Sequence, residues 1–212
     1  MAGEREKKME ITQIAGFLGC GKTTLILKLA EMIADKGKRK VALIVNEIGE
    51  IPVDGKIIEE GGMTVKDIGG GCICCEVAVS FGKTLVALYK QFNPDFVLVE
   101  PTGVAIPHQV KTAAKMGMRD AKLTVGSAIV LFDATRPAEL LDMDMLGNLV
   151  VNQVRDADYL AISKIDAVDP SLLEDIANRV KEHNETAEVI FISAFTGEGL
   201  DRLAQIIIAG KE

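Results

Sequence analysis

Two features are missing from this sequence of 212 residues: a long apolar run, and a long block of basic residues beyond the first ten positions. No stretch approaches the roughly 18 apolar residues of a membrane span, and the charged segment 1–10 lacks the apolar core of a secretory signal. The formal net charge is -7, which gives little electrostatic support for nonspecific binding to nucleic acid or to an anionic membrane. We therefore expect a cytoplasmic protein with a flexible tail at 1–10 and with neither a nucleic-acid nor a membrane partner.

Cysteine is scarce as well, since the chain has four, and three of them stand at Cys72, Cys74 and Cys75. Such close positions do not suit a disulfide framework, so metal or redox chemistry in a reducing compartment fits them better. Up to three soft thiolates within four positions can accept Zn²⁺, Cu(I), Co²⁺ or Ni²⁺. No second ligand pair stands at zinc-finger spacing, which predicts an incomplete, exchangeable or shared metal site.

The fourth ligand of this site stays open between water, a partner's side chain, Cys20, Glu76 and His108. The alternative is that the three cysteines are inert residues at the joint between a strand and a helix, because free cysteine packs well in a core. Cys20 is interpreted first as a tolerated small residue, with a link to the cysteine site as the second interpretation. His183 is explained by a favourable place near a helix C-terminus.

Apolar runs and helical periodicity alternate along most of the chain. Hydrophobic residues make up 48% of the sequence, enough for one well-buried domain, which we place at 11–212. Six apolar runs have the character of buried parallel strands: 11–17, 41–45, 96–99, 127–132, 159–163 and 189–193. Six segments between or after them are predicted helices: 22–36, 77–92, 106–118, 137–154, 170–183 and 200–208.

The alternation predicts an α/β fold with a mostly parallel central sheet and helices on both faces. Ligands of such sheets bind beyond the carboxyl ends of the strands. The Gly-rich segment 47–75 interrupts the alternation, with short β-like pieces at 56–58 and 63–68. A segment that long without clear helices or strands is usually functional or disordered.

Residues 16–23 read GFLGCGKT, which fits the phosphate-binding pattern G-x-x-x-x-G-K-[ST]. A predicted strand precedes the pattern and a predicted helix follows it, which is the context that the pattern requires. Glycines let backbone N–H groups turn toward an anion, and the helix N-terminus adds positive dipole. We assign the following contacts: Gly19, Cys20, Gly21 and Thr24 to phosphate, Lys22 to the β- and γ-phosphate oxygens, and the Thr23 hydroxyl to Mg²⁺.

A carboxylate follows the third apolar run at Glu100, and Pro101-Thr102-Gly103 comes next. This position at the end of a buried strand suits a residue that holds Mg²⁺ or its water, and Gly103 lets the backbone approach the γ-phosphate. Asp54 is the favoured second carboxylate beside Mg²⁺, which takes one or two carboxylates with waters and phosphate oxygens. Asn46 and Glu47 compete with Asp54, and an ordinary turn at the strand end is the alternative for Glu100.

Two further segments predict recognition of a guanine base. Ser163-Lys164-Ile165-Asp166 follows the fifth run; Asp166 can accept hydrogen bonds from guanine N1–H and the exocyclic amine, and the Lys164 stem can lie along the purine face. Ser193-Ala194-Phe195 follows the last run and can present backbone N–H groups to the guanine carbonyl. Each segment alone is a common surface turn, but both follow predicted strands in the right order.

Together these residues resemble the CobW/HypB/UreG group of metal-handling GTPases, and specifically its CobW-type branch. The resemblance extends over nearly the whole chain, and its specific marker is the cysteine motif, residues 71–75, GCICC. It implies a P-loop GTPase domain that binds Mg²⁺ with GTP or GDP, holds Zn²⁺, Co²⁺ or Ni²⁺ at the cysteines and delivers that metal to a client metalloenzyme or cofactor pathway. It also implies a GTP-dependent homodimer.

Three positions depart from the family pattern. Ser163 stands where the guanine motif usually has Asn, which removes an amide contact but keeps Asp166. Gly70 stands where the branch often has Asn. The chain ends soon after the base-contacting segment, so we expect client recognition to come from the GTPase domain itself or from another protein.

The resulting prediction is a GTPase with slow intrinsic turnover, in which Lys22 stabilises charge on the phosphates and Glu100 orients metal or water. No residue is identifiable from the sequence as the hydrolytic base. The nucleotide state is expected to set the metal affinity of the segment that contains the cysteines. Two alternatives remain: a GTP-dependent accessory factor for a cobalamin or corrinoid enzyme that carries no metal, and a metal or thiol-redox sensor.

Overall fold

Seven parallel strands form one sheet in the computed structural model, which describes residues 8–37, 39–45, 63–67, 75–136, 138–142 and 145–210. The strands are β1 Met9–Gly16, β2 Val41–Val45, β3 Met63–Asp67, β4 Phe96–Glu100, β5 Leu123–Asp133, β6 Tyr159–Ser163 and β7 Glu188–Phe191. Their order across the sheet is β3-β2-β4-β1-β5-β6-β7, and every pairing is parallel. The predicted α/β fold class is confirmed.

Helices cover both faces of this sheet. They are α1 Lys22–Gly37, α2 Cys75–Gln91, α3 Pro107–Gly117, α4 Met145–Arg155, α5 Leu173–Lys181 and α6 Leu200–Ala209. Successive residues of a strand point to opposite faces, so Leu98 packs in the core with α1 and α6, whereas Val97 and Val99 pack with α2 and α3. A third cluster under α4 and α5 completes the second face. Burial on both faces explains why these strands read as continuous apolar runs.

The register of the sheet brings the carboxyl ends of five strands, β1, β2, β4, β5 and β6, to one edge. Gly16 pairs with Leu131 near the end of β5, Val45 pairs with Glu100, and Asp133 pairs with Ser163. Because all strands are parallel, the residues that follow β1, β4, β5 and β6 meet at this edge. This is where the sequence patterns predicted ligand binding.

One predicted helix, 137–154, is replaced by two elements. A 3₁₀ turn at Ala138–Asp142 precedes α4, which begins at Met145. A Cβ at Gly147 would lie 2.8 Å from Leu140 O and 2.9 Å from Leu141 O, so the turn folds back onto the start of α4. Sequence periodicity could not reveal this, because the same apolar residues serve both arrangements.

Other element boundaries differ by a few residues from the prediction. β1 begins at Met9, which places Met9 and Glu10 in the sheet rather than in the tail expected at 1–10. The β-like piece predicted at 63–68 is β3, an edge strand beside β2. Asp169 caps the 3₁₀ turn Pro170–Leu172 before α5, since its side chain accepts from Ser171 N–H at 2.9 Å. In the described ranges, no helix has the length and apolar character needed to cross a membrane.

Candidate functional site

The loop between β1 and α1 has the backbone of an anion-binding turn. Gly16, Gly19 and Gly21 have φ values of 136°, 75° and 96°, a region that other residues rarely adopt. A Cβ at Gly16 would also lie 2.6 Å from Leu131 O. The loop ends where α1 begins at Lys22, and a helix N-terminus offers N–H groups and positive dipole to an anion.

Lys22 is folded back onto this loop. Its side chain is buried, and Nζ donates to Phe17 O at 3.3 Å. A neutral carbonyl is a weaker partner for an ammonium group than a phosphate oxygen. The structure therefore keeps Lys22 in a position from which an anion in the loop can attract it.

Thr23 and Glu100 meet at the junction of α1 and β4. The Thr23 hydroxyl donates to Glu100 Oε1 at 2.7 Å, and Glu100 is fully buried at the end of its strand. A hydroxyl and a carboxylate oxygen are the hard donors that Mg²⁺ prefers, so the residues present fit this ion. Asp54, the other expected carboxylate, lies outside the described residues, as do Asn46 and Glu47.

Gly103 approaches the phosphate loop closely. A Cβ at this position would lie 2.6 Å from Leu18 Cδ2 and 3.0 Å from Leu18 N. Only a residue without a side chain lets the segment after β4 pack this tightly against the loop. The expectation that Gly103 brings its backbone near a terminal phosphate is consistent with this contact.

A cavity of about 510 Å³ opens beside the loop. Its walls come from the phosphate loop and α1, from the end of β5, from the segment after β6 and from the segment after β7. The lining residues are Cys20, Gly21, Thr24, Leu25, Lys28, Leu131, Ser163, Lys164, Asp166, Ala167, Ile192, Ala194 and Phe195. The two segments predicted to read guanine thus share one cavity with the phosphate loop.

Asp166 is oriented in this cavity by Ser193. The Ser193 hydroxyl donates to Asp166 Oδ1, and its oxygen accepts from Phe195 N–H at 3.2 Å and Thr196 N–H at 3.0 Å. Ser193 is fully buried, so it acts on Asp166 rather than facing the cavity. Of the three predicted backbone donors, Ala194 N–H alone has no partner among the described residues. The Phe195 ring is 85% exposed.

Ser163 and Lys164 hold the phosphate loop. The Ser163 hydroxyl is buried and lies 2.9 Å from Cys20 O and 3.3 Å from Phe132 O. Lys164 has a left-handed backbone with φ 60°, and its Nζ donates to Gly19 O at 2.8 Å. With its ammonium fixed on the loop, Lys164 borders the cavity; the place of its stem along a purine face stays a prediction.

The sequence patterns did not single out Asp133 and Arg136. Asp133 is buried at the end of β5 and binds Lys164 Nζ at 2.7 Å, while Arg136 donates to Leu18 O and stacks 5.1 Å from the Phe17 ring centroid. Burial raises the pKa of Asp133, but hydrogen bonds from Lys164 and Thr135 outweigh it and hold that pKa below its ordinary value. The sequence did contain a signal for Asp133, because this carboxylate ends an apolar run as Glu100 does.

Cys20 turns its side chain away from the loop surface. It is 1% exposed and belongs to the core between the sheet and α1. Burial raises the pKa of its thiol, although the nearby Lys22 ammonium opposes that effect. These observations agree with the interpretation of Cys20 as a tolerated small residue.

The predicted transition-metal ligands are not brought together in the described part of the chain. Cys72 and Cys74 lie outside it, and Cys75 begins α2, with its side chain likewise outside. His108 Nδ1 lies 2.6 Å from Asp156 Oδ2. Across the described ranges, no cluster of three or more His, Cys, Asp or Glu side chains is arranged to hold a metal ion.

Two characterised relatives resemble this chain over much of its length. The zinc chaperone YeiR of Escherichia coli (strain K12) is 35% identical over 159 residues, 74% of this chain and 47% of YeiR. The zinc chaperone CobW of Sinorhizobium sp is 30% identical over 223 residues, 93% of this chain and 62% of CobW. The chain therefore spans between 47% and 62% of the length of these two relatives.

A solved structure shares the fold. The crystal structure of the Zn(II)-bound YjiA GTPase from E. coli superposes with a TM-score of 0.60 at 25% identity, covering 86% of this chain and 57% of YjiA. The family profile described as CobW/HypB/UreG, nucleotide-binding domain, matches residues 10–191. Because that profile matches more than half of the chain, the chain belongs to the CobW/HypB/UreG family.

Proposed function

We propose that this chain binds GTP with Mg²⁺, hydrolyses it to GDP and phosphate, and uses this cycle to hold a transition metal and pass it to a client protein. The observation that carries the proposal is the position of Asp166, a carboxylate held by Ser193 in a cavity that the phosphate loop also lines. A carboxylate accepts two N–H groups from guanine, whereas adenine lacks the exocyclic amine at that position. GTP therefore fits the cavity better than ATP.

Hydrolysis is assigned to residues at the carboxyl ends of the strands. Lys22 exchanges its contact with Phe17 O for phosphate oxygens, and the N-terminus of α1 adds positive dipole beside the same anion. Glu100 holds the Thr23 hydroxyl in place. Bound Mg²⁺ supplies positive charge that neutralises the phosphate oxygens. Because no base is identifiable, we expect slow turnover that a partner or a second copy accelerates.

The transition metal is assigned to Cys72, Cys74 and Cys75. Support comes from the chemistry of three closely spaced thiolates and from the names of two relatives, both of which are called zinc chaperones. Zinc is therefore the first metal to test, before cobalt and nickel. The cysteines lie in sequence between the phosphate loop and Glu100, so nucleotide state and metal affinity are proposed to be coupled.

Anaerobic titration with Zn²⁺ tests this coupling directly. The protein is loaded with GDP or with a non-hydrolysable GTP analogue, and metal affinity is measured in both states. We expect at least a tenfold difference between the two states, and loss of tight binding in Cys72→Ala and Cys74→Ala. Equal affinities in both states, together with unchanged GTP turnover in the cysteine variants when metal is added, would contradict the coupling.

A transfer experiment separates delivery from sensing. Zinc-loaded protein is mixed with an apo zinc acceptor protein, and transfer is followed with GTP, with GDP and without nucleotide. GTP-dependent transfer supports the chaperone. Stoichiometric zinc that never transfers points instead to a sensor, and protein without thiol-bound metal in either state points to an accessory factor that carries none.

A further inference from the structure

The segment that follows β4 is held between two elements. On one side, Gly103 packs against Leu18 of the phosphate loop, with 3.0 Å between its would-be Cβ and Leu18 N. On the other side, the carbonyl oxygens of Gly103 and Ala105 face α4. The position of this segment at the phosphate loop therefore depends on how α4 binds those two carbonyl oxygens.

Gln153 of α4 binds both of them. Its Nε2 donates to Gly103 O at 3.0 Å and to Ala105 O at 2.9 Å, and the residue is 1% exposed. A primary amide can donate two hydrogen bonds from one nitrogen, whereas a carboxylate of the same size only accepts. The Gln153 amide nitrogen thus bridges two carbonyl oxygens of the segment from a buried position.

The neighbouring start of α3 is fixed independently. Gln13 of β1 donates to Pro107 O at 3.1 Å, and Asp156 accepts from the His108 backbone N–H at 3.1 Å and meets its ring. Lys111 Nζ lies 2.8 Å from Asp158. These contacts fix the start of α3. Among the side chains that the structure describes, Gln153 is the one that binds the part of the segment nearest to the phosphate loop.

We propose that Gln153 is a positioning residue for GTP hydrolysis. It holds Gly103 at the phosphate loop, so that the backbone of Gly103 faces the terminal phosphate, and it does so without touching the nucleotide. This inference rests on the proposed GTPase function. It assigns to α4 a share in distinguishing GTP from GDP, because the backbone of Gly103 is assigned to the terminal phosphate, which GDP lacks.

The cavity explains why GDP binding should not depend on Gln153. Its walls belong to the phosphate loop, α1 and the segments after β6 and β7, and neither Gly103 nor Gln153 is among its lining residues. A change at Gln153 should therefore alter kcat and the preference for GTP. It should leave the affinity for GDP within about twofold of the wild-type value.

Two variants of the full chain test the proposal, Gln153→Glu and Gln153→Met. An ionised carboxyl at this site would face two carbonyl oxygens and repel them, while its protonated form donates one hydrogen bond. Burial favours the protonated form. We expect the kcat of Gln153→Glu to lie at least about tenfold below wild type at pH 8 and to recover toward pH 6, since a misplacement of about 1 Å can cost a hundredfold.

Gln153→Met has a similar size and no titrating group, so its kcat should be lowered by a similar factor at every pH. The wild-type pH profile is the reference for the charged groups that all three proteins share around this segment, His108, Asp156 and Asp158. GDP affinity, measured by calorimetry, shows that the variants are folded. A merely structural role would weaken GDP and GTP binding equally.

Three results would overturn the proposal: a wild-type kcat in both variants, an equal loss of GDP and GTP affinity, or identical pH profiles of Gln153→Glu and Gln153→Met. Failure of the proposed function is separate and visible in the wild-type protein. If wild type binds no GTP or does not hydrolyse it, the GTPase assignment fails and this inference fails with it.

Discussion

Asp133 is the residue on which the contacts of the phosphate loop converge. Its Oδ2 lies 2.7 Å from Lys164 Nζ and 3.6 Å from Arg136 Nε. Those two cations donate to Gly19 O and Leu18 O in the loop. One buried carboxylate therefore ties the phosphate loop to the segment that borders the base.

Replacing Asp133 by Asn keeps the size of the side chain but leaves the two cations without their shared counter-ion. We expect the free energy of unfolding to fall by about 1–2 kcal/mol, because Lys164 is partly exposed and water screens part of the loss. Urea denaturation measures this. Asp142→Asn is the matched control, since Asp142 pairs with Arg179 at an exposed site and should change stability by less than about 0.5 kcal/mol.

The effect of Asp133 should also depend on pH. Because its pKa is held below the ordinary value of 3.8 in the folded protein, its charged form stabilises the fold above that value. This contribution is lost as the pH falls from about 4 through the lowered pKa. The difference in unfolding free energy between wild type and Asp133→Asn should therefore be constant near neutral pH and shrink below about pH 4. A difference that grows with acidity would contradict the assignment.

Asp166 carries the proposed preference for guanine. Asp166→Asn exchanges one acceptor for a donor, so it should lose about 1.5–3 kcal/mol of GTP binding, roughly tenfold to a hundredfold in affinity. The same change suits xanthine, whose second carbonyl replaces the amine of guanine. Competition between GTP, XTP and ATP measures this preference. An unchanged order of affinities would show that another group reads the base.

At the scale of elements, α4 has two roles: it packs against the 3₁₀ turn, and it holds a segment of the candidate site. Its first turn lies under the 3₁₀ turn at Ala138–Asp142, and Gln153 near its end holds the segment after β4. Gly147 permits the first contact, since the carbonyl oxygens of Leu140 and Leu141 are within 2.9 Å of its would-be Cβ. The position of α4 therefore depends on a glycine that helix propensity alone would disfavour.

Gly147→Ala tests this packing. Propensity predicts a gain of about 0.5–1 kcal/mol from alanine in a helix, but collision with two backbone carbonyls should reverse the sign and destabilise by about 1–3 kcal/mol. Chemical denaturation distinguishes the two outcomes. Met145→Ala, at a side chain that is 87% exposed on the same helix, should stay within about 0.5 kcal/mol of wild type.

Strand positions were predictable for a simple physical reason. Strands buried on both faces must be apolar throughout, and β2 and β6 have the predicted bounds 41–45 and 159–163. The strand β3 was harder to predict from the sequence, because it lies at the edge of the sheet and its sequence, MTVKD, is not apolar throughout. The split between the 3₁₀ turn and α4 was missed because it depends on Gly147 meeting residues that fold back over it.

At the scale of the whole molecule, apolar side chains surround the phosphate loop. Leu18 is 44% exposed and Val104 is 42% exposed, and the two flank the contact between Gly103 and the loop. Apolar groups at the mouth of a nucleotide site suit a surface that a second copy covers. The homodimer that the family resemblance implies stays a prediction, and these two side chains give a place to test it.

Val104→Asp should weaken that dimer. Losing a buried valine side chain costs about 1.5 kcal/mol or more, and a charge in the interface adds to it, so dimer affinity with a GTP analogue should fall at least about tenfold. Sedimentation with GDP and with the analogue measures it. Leu172→Asp is the control, because Leu172 is 50% exposed in the 3₁₀ turn before α5. Equal effects of both variants would contradict an interface at the nucleotide edge.

The sequence by itself determined the alternation of strands and helices, the phosphate loop and the carboxylates at Glu100 and Asp166. These follow from local rules: burial on both faces, glycine geometry and hydrogen-bonding chemistry. The tertiary structure decided what the polar side chains do. Ser163 holds the loop, Ser193 orients Asp166, and Gln153 spans two carbonyls. Each of these roles depends on a partner between 27 and 143 positions away in the chain, and only the packing of the sheet and helices selects that partner.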